Sequence, residues 1–101
     1  MTQKTVEIIT FKLVENVSET EFLKASDVAG AFIAARPGFV LRRLTKSSDG
    51  VYMDYVIWQT KDNATDAMTA SMQEASLVPF IQSIDEKSMK IDHQTLIASV
   101  N

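Results

Sequence analysis

The stretch from Arg36 to Trp58 constrains the fold most strongly, because it predicts a β-hairpin that is apolar on both faces. Two runs rich in β-branched, aromatic and aliphatic residues flank Asp49-Gly50, a pair that tolerates the positive φ angles of a tight turn. A loop of two or four residues would place Arg43 and Asp54 on one face, whereas a three-residue loop would change the pairing. Two apolar faces require cover on both sides of the hairpin.

A strand and a helix are predicted before the hairpin. Residues Thr5 to Val14 form a short apolar run, again on both faces. Ser18 and Glu21 have the spacing of a capping box, in which each side chain accepts a hydrogen bond from the backbone of the other residue. The helix that begins there is expected to end within the two residues before Pro37, which disfavours helical geometry in the residue preceding it.

After the hairpin, the sequence predicts helix, a short helical segment and a last strand. The helix is expected from about Asp62 to Ala75, with Met68 and Met72 among small residues on its inward face. Pro79 fits the first turn of the short segment, where a missing amide hydrogen costs nothing. The last strand is expected from Lys87 to Val100.

The resulting order, β-α-β-β-α-β, predicts an α+β fold of the ferredoxin-like split βαβ type, with a four-stranded antiparallel sheet. We expect one domain that spans residues 1–101. Right-handed crossovers would place both helices on the same face of the sheet. Because the opposite face is also apolar, a homodimer that covers this face is expected.

Composition disfavours several classes of partner. Ten basic and thirteen acidic residues leave a net charge of −3, so no nucleic acid partner is expected. The chain has no cysteine, which excludes disulfides, thiol catalysis and thiolate metal ligands, and no metal site is expected. No run of about 18 apolar residues occurs, so we expect no membrane partner and a cytoplasmic location.

Two segments carry a family resemblance. Arg36-Pro-Gly-Phe-Val, followed by a hairpin that ends Val-Ile-Trp-Gln-Thr-Lys-Asp, resembles the dimeric α+β-barrel superfamily that contains the antibiotic biosynthesis monooxygenase (ABM) domain. The resemblance covers nearly the whole chain and is greatest to members without an assigned activity. It implies a barrel formed by two facing sheets across a dimer, with a cavity between each sheet and its helices.

The resemblance also bears on chemistry. It favours a cofactor-independent monooxygenase that acts on a small aromatic or quinol-like compound, and it implies no cofactor. In such chemistry the deprotonated substrate itself reduces oxygen, and the protein supplies a dry pocket. Haem degradation is disfavoured, because the positions that the haem-degrading branch uses fall near Thr10, Ala67 or Met68, and Leu77, and none matches. The alternative is a non-catalytic homodimer that binds a small molecule or is structural.

His93, the only histidine, is the candidate catalytic residue. Histidine changes its protonation near neutral pH, which suits proton transfer to or from a ligand. The alternative is a histidine whose ring nitrogens are satisfied by neighbours at a dimer interface.

Arg43 and Asp54 are candidates for ligand binding as a cross-strand ion pair. Such a pair would either orient a polar ligand or simply connect the strands. Tyr55 is a candidate because it and Tyr52 point to opposite faces, so that one of the two phenols is expected in any cavity.

Trp58, Met68 and Met72 are the apolar candidates for ligand binding. Trp58 would be a stacking platform or a core residue. The two methionines would form an adaptable apolar pocket for an aromatic ligand, or fill irregular gaps in the core.

Overall fold

A computed structural model describes residues 3–101. The elements follow in the order β1 (Thr5–Phe11), α1 (Glu19–Ala34), β2 (Phe39–Lys46), β3 (Tyr52–Trp58), α2 (Lys61–Met72), α3 (Val78–Gln82) and β4 (Lys90–Thr95). Short 3₁₀ turns occupy Ala75–Leu77 and Glu86–Ser88. The predicted β-α-β-β-α-β order and the α+β class are confirmed.

One antiparallel sheet contains the four strands in the order β2-β3-β1-β4. The helices cover one face, called here the inner face, which carries Glu7, Val56 and Trp58. The outer face carries Val6 opposite Ile57 in the β1–β3 pairing. Among residues 3–101, no helix combines the length and apolarity that crossing a membrane requires.

Several predicted boundaries were too wide. The strand predicted over residues 5–14 ends at Phe11, because the chain then leaves the sheet and the Val14 amide bonds to the Ser83 carbonyl at 2.9 Å. The helix predicted from Asp62 to Ala75 ends at Met72. The strand predicted from 87 to 100 begins only at Lys90, since the Asp85 side chain caps a 3₁₀ turn over Glu86–Ser88.

The start of α1 follows the predicted capping box. The Glu21 amide donates to the Ser18 hydroxyl at 3.1 Å, and the Ser18 amide donates to the Glu21 carboxylate at 3.2 Å. From this start the helix buries Phe22 and Ala29 completely against the rest of the fold. It ends at Ala34, one residue before the predicted end, with Ala35 as its C-cap.

The hairpin loop differs from the prediction. The Ser47 amide donates to the Val51 carbonyl at 2.8 Å, and the Gly50 amide donates to the Ser47 carbonyl at 3.1 Å, which leaves a three-residue loop. Gly50 takes φ +84°, as the left-handed position of such loops requires. The expected loop of two or four residues was wrong, and Leu44 rather than Arg43 or Thr45 lies opposite Asp54.

After the three-residue loop, a β-bulge in β2 is the second feature that changes which residues of β2 and β3 face each other. The register shifts between Phe39 and Leu41, so that Val40 is the extra residue on the bulged strand. Phe39 therefore lies opposite Trp58, and the two rings meet edge to face with centroids 5.8 Å apart.

Two clusters form the core on the inner face. One consists of Val56, Trp58, Ala64 and Ala67, where small residues of α2 allow close approach to β3. The other is aromatic and consists of Phe11, Phe22 and Tyr52. In the aromatic cluster the Phe22 and Tyr52 centroids are 5.0 Å apart. Members of both clusters also line a cavity.

Candidate active site

A cavity of about 410 Å³ lies between the inner face of the sheet and the helices. This volume is in the range of small-molecule sites, roughly 300–1,000 Å³. The sheet side is formed by Glu7, Ile9, Phe11, Asp54, Val56 and Trp58. The α2 side is formed by Ala67, Met68, Ser71 and Met72. The walls are therefore mainly apolar, with a small number of polar groups.

The mouth of the cavity is apolar and accessible. Met72 is 65% exposed, Ile91 45% and Met89 39%, and all three line the cavity. They come from α2, from β4 and from the residue just before β4, so the cavity opens between this helix and the edge strand. An apolar ligand could enter here without a rearrangement of the sheet.

The Glu7 carboxylate is the principal polar group on the sheet side. Glu7 lies directly opposite His93 in the β1–β4 pairing, so both side chains point to the inner face. The Nε2 atom of His93 is 2.8 Å from Oε2 of Glu7, a hydrogen bond whose proton position depends on the histidine tautomer. Glu7 is 5% exposed, whereas the His93 side chain is 26% exposed.

This pair has the composition of a proton-transfer site. A buried carboxylate that lines the cavity can accept a proton from a bound ligand, and its histidine partner can stabilise or carry the charge. His93 was predicted from the sequence as a candidate catalytic residue, and Glu7 was not. The signal that could have found Glu7 was a single ionisable residue within a strand that otherwise has only apolar residues and threonine.

Arg42, and not Arg43, pairs with Asp54. The Arg42 Nε and Nη2 atoms donate to the two Asp54 carboxylate oxygens at 2.8 and 2.9 Å. The same guanidinium also donates to the Ser26 carbonyl and hydroxyl oxygens, each at 3.0 Å. Asp54 lines the cavity, but both of its oxygens are already held, so the pair joins α1, β2 and β3.

The structure separates Arg43 and Tyr55 from the cavity. These residues lie opposite each other on the outer face, and Arg43 is exposed. The predicted Arg43–Asp54 pair was wrong, because the three-residue loop reverses the faces of β2 relative to β3. Tyr52 is the tyrosine on the inner face, but its hydroxyl donates to Glu19 and it does not line the cavity.

The remaining candidates line the cavity as apolar walls. Trp58 is 1% exposed, and its indole Nε1 is buried without a hydrogen-bond partner among residues 3–101. Met68 and Met72 face it from α2 and leave the space open. In the part of the chain that the structure describes, no cluster of three or more His, Asp or Glu residues could hold a metal ion.

No model of a protein family matches the sequence, and no curated protein matches it either. Solved structures do. A putative antibiotic biosynthesis monooxygenase from Bordetella bronchiseptica matches with a TM-score of 0.78 at 19% identity, over 95% of this chain and 99% of that one. The chain has an ABM-like fold.

Two further solved structures with a similar fold are oxygenases. SnoaB from Streptomyces nogalater, a cofactor-independent oxygenase, is 19% identical with a TM-score of 0.66, over 98% of this chain and 96% of that one. A monooxygenase from the gene ActVA-Orf6 of Streptomyces coelicolor, in complex with nanaomycin D, is 18% identical with a TM-score of 0.68, over 99% of this chain and 93% of that one. At such identities the likeness is one of fold.

Proposed function

We propose that this ABM-like protein is a cofactor-independent monooxygenase that acts on a small aromatic or quinol-like compound. The observation that carries the proposal is the Glu7–His93 hydrogen bond at the wall of a mainly apolar cavity of about 410 Å³. The cavity offers the dry surroundings such chemistry needs, and the pair offers a base within reach of a ligand.

In the proposed reaction, the Glu7 carboxylate removes an acidic proton from the bound compound. The hydrogen bond from His93 supports the charge on Glu7 before the transfer, and the partly exposed imidazole connects the pair to solvent. The resulting carbanion or phenolate reduces O₂, a carbon–oxygen bond forms, and the peroxide anion takes the proton back from Glu7 to give a hydroperoxide. Loss of water from the hydroperoxide leaves a carbonyl, so one oxygen atom enters the product, the other leaves as water, and no external reductant is needed.

The similar proteins support this choice of reaction class. SnoaB is described as a cofactor-independent oxygenase, and the Streptomyces coelicolor monooxygenase is described with the ligand nanaomycin D. The apolar walls, which include Trp58, Met68 and Met72, suit the flat face of an aromatic compound. Asp54 takes part indirectly, since its ion pair with Arg42 fixes one wall.

Oxygen uptake with anthrone as the probe tests the proposal, because anthrone has an acidic CH₂ group that the reaction would convert to a carbonyl. We expect the purified protein to consume O₂ and form anthraquinone. Glu7→Gln, which keeps the shape and removes the base, should lower the rate by about 100-fold or more. His93→Gln should also lower it, while Glu15→Gln, an exposed loop substitution, should leave it unchanged.

Two results would remove this proposal. The first is no oxygen uptake above the uncatalysed rate, and binding of the probe without uptake would favour a non-catalytic binding protein. The second is full activity in the folded Glu7→Gln variant, which would exclude Glu7 as the base. Circular dichroism of each variant separates lost activity from lost folding.

The proposed functional unit is a homodimer that buries the outer face of the sheet. On this face Met53 is exposed and Ile8 and Tyr55 are half-buried, whereas Val6 and Ile57 are already buried in the single chain. A second copy would cover the apolar side chains of this face that remain open to solvent. Light scattering after gel filtration should give twice the chain mass, and a monomer at micromolar concentration would contradict the dimer.

A further inference from the structure

The ionisable side chains that line the cavity all have the same sign. They are Glu7, Asp54 and Glu86, and no lysine, arginine or histidine lines the cavity within residues 3–101. A ligand in this space therefore meets carboxylates and no cationic side chain. The three carboxylates differ in how much of the negative charge is offset by a neighbouring side chain or by water.

Glu7 is the one whose charge a ligand would meet most directly. Both oxygens of Asp54 accept hydrogen bonds from the Arg42 guanidinium, so its charge is balanced by a full cation. Glu86 is exposed in the 3₁₀ turn, where water screens it. Glu7 is buried, and its single side-chain partner in the described residues is His93, which bonds to Oε2.

We propose that the cavity takes neutral or positively charged aromatic compounds that donate a hydrogen bond to Glu7, and that it rejects aromatic carboxylates. A hydroxyl or ammonium group next to Glu7 would form a charge-assisted hydrogen bond. A ligand carboxylate in the same place would put two anions side by side in an apolar space with no cation to pair with it. For the substrate class of an oxygenase, the proposal rests on the proposed function. The charge preference itself concerns only which compounds bind in the cavity.

Three naphthalene probes that share one ring system test the inference with the wild-type protein. They are 2-naphthol, 2-naphthoate and 2-naphthylmethylammonium, which are neutral, negative and positive at neutral pH. In isothermal titration calorimetry we expect the naphthol and the ammonium compound to bind at least about tenfold more tightly than the naphthoate, as two like charges within a few ångströms would produce.

The positive probe separates charge from simple desolvation. If the apolar walls rejected ions in general, both charged probes would bind weakly and equally, which would overturn the proposal. Equal binding of naphthol and naphthoate would overturn it as well, and so would the absence of binding by all three probes.

A pair of variants assigns the preference to one carboxylate. In Glu7→Gln the preference for naphthol over naphthoate should fall to within about threefold, because the buried charge is gone. Glu86→Gln is the matched control, since it removes an exposed charge from the same cavity, and the preference should stay as in the wild type. An unchanged preference in folded Glu7→Gln would contradict the role of Glu7. If that variant does not fold, the wild-type series and Glu86→Gln still decide.

The outcome is independent of the oxygenase proposal. A charge preference without oxygen uptake from anthrone would leave the binding inference standing and remove the reaction. Oxygen uptake without a charge preference would do the reverse.

Discussion

The Arg42–Asp54 ion pair should be the most sensitive polar contact in the fold. The two side chains are only 12% and 6% exposed, and the Arg42 guanidinium makes four hydrogen bonds, two to Asp54 and two to Ser26. Arg42→Met keeps much of the apolar stem and removes all four. The Asp54 carboxylate would then be buried without a cation, a situation that costs about 3–5 kcal/mol.

The magnitude can be measured by urea unfolding at fixed protein concentration. With a slope of about 1.5 kcal/mol per molar urea for a chain of this size, the midpoint should fall by about 2–3 M. Arg43→Met is the matched control, because Arg43 is the neighbouring arginine, is exposed on the outer face and donates one hydrogen bond to the Arg42 carbonyl. Its cost should stay below about 1 kcal/mol.

A double variant tests the reason for the loss. Arg42→Met combined with Asp54→Leu removes the unpaired charge together with its partner, so it should be more stable than Arg42→Met alone. The reasoning would be refuted if Arg42→Met and Arg43→Met lowered the midpoint equally. It would also be refuted if the double variant were the least stable of the three, since the loss would then come from packing or from Ser26.

Two other features allow tests. Burial, and then the hydrogen bond to the Glu19 carboxylate, raise the pKa of Tyr52 to about 12 from 10.0. Because the folded state holds the Tyr52 proton more tightly, the contribution of this proton to the free energy of unfolding should be complete below pH 10 and lost as the pH rises to about 12. Ultraviolet titration and alkaline unfolding measure this. Ionisation of both tyrosines near pH 10 in the folded protein would contradict it. Gly38 and Gly50 share positive φ angles of 82° and 84°, but an added Cβ would lie 2.2 Å from Asn63 at Gly38 and in open space at Gly50. Gly38→Ala should therefore lower the melting temperature more than Gly50→Ala, and equal losses would show that backbone strain alone decides.

Features were predicted correctly from the sequence where a local pattern is compatible with only one structure. The Ser18–Glu21 capping box requires only residues three apart, and α1 begins where the box predicts. The element order followed in the same way from the periodicities and the breaks between them. The likeness in fold to ABM structures was predictable from the segments around Pro37 and Trp58.

The hairpin shows why a turn signal does not determine the register. Asp49-Gly50 suits a two-residue loop, but the same pair also fits a three-residue loop in which only Gly50 has positive φ. Arg42 and Arg43 are chemically identical and adjacent, so the loop length alone decided which of them meets Asp54. The choice depends on how the strands pack in the sheet, which the local sequence does not contain.

The cavity and its polar pair were less accessible to sequence reasoning. Glu7 and His93 are far apart in the chain and become partners only through the β1–β4 register. The space beside them depends on the distance between α2 and the sheet. Small residues and methionines in α2 are compatible with a filled core and with an open cavity, so Met68 and Met72 could not distinguish the two.

Because of the bulge at Val40, the contacts of β2 depend more on the number of residues in the strand than on which residue occupies the bulge. Between the bulge and the loop, the even-numbered residues of β2 face inward, which places Arg42 beside Asp54. Before the bulge the alternation is the opposite, and Phe39 faces inward against Trp58. Deleting one residue here would set these two contacts in competition, because a strand of uniform phase can satisfy only one of them. Evolution or protein engineering can thus change the side chain at this position far more easily than it can remove the residue.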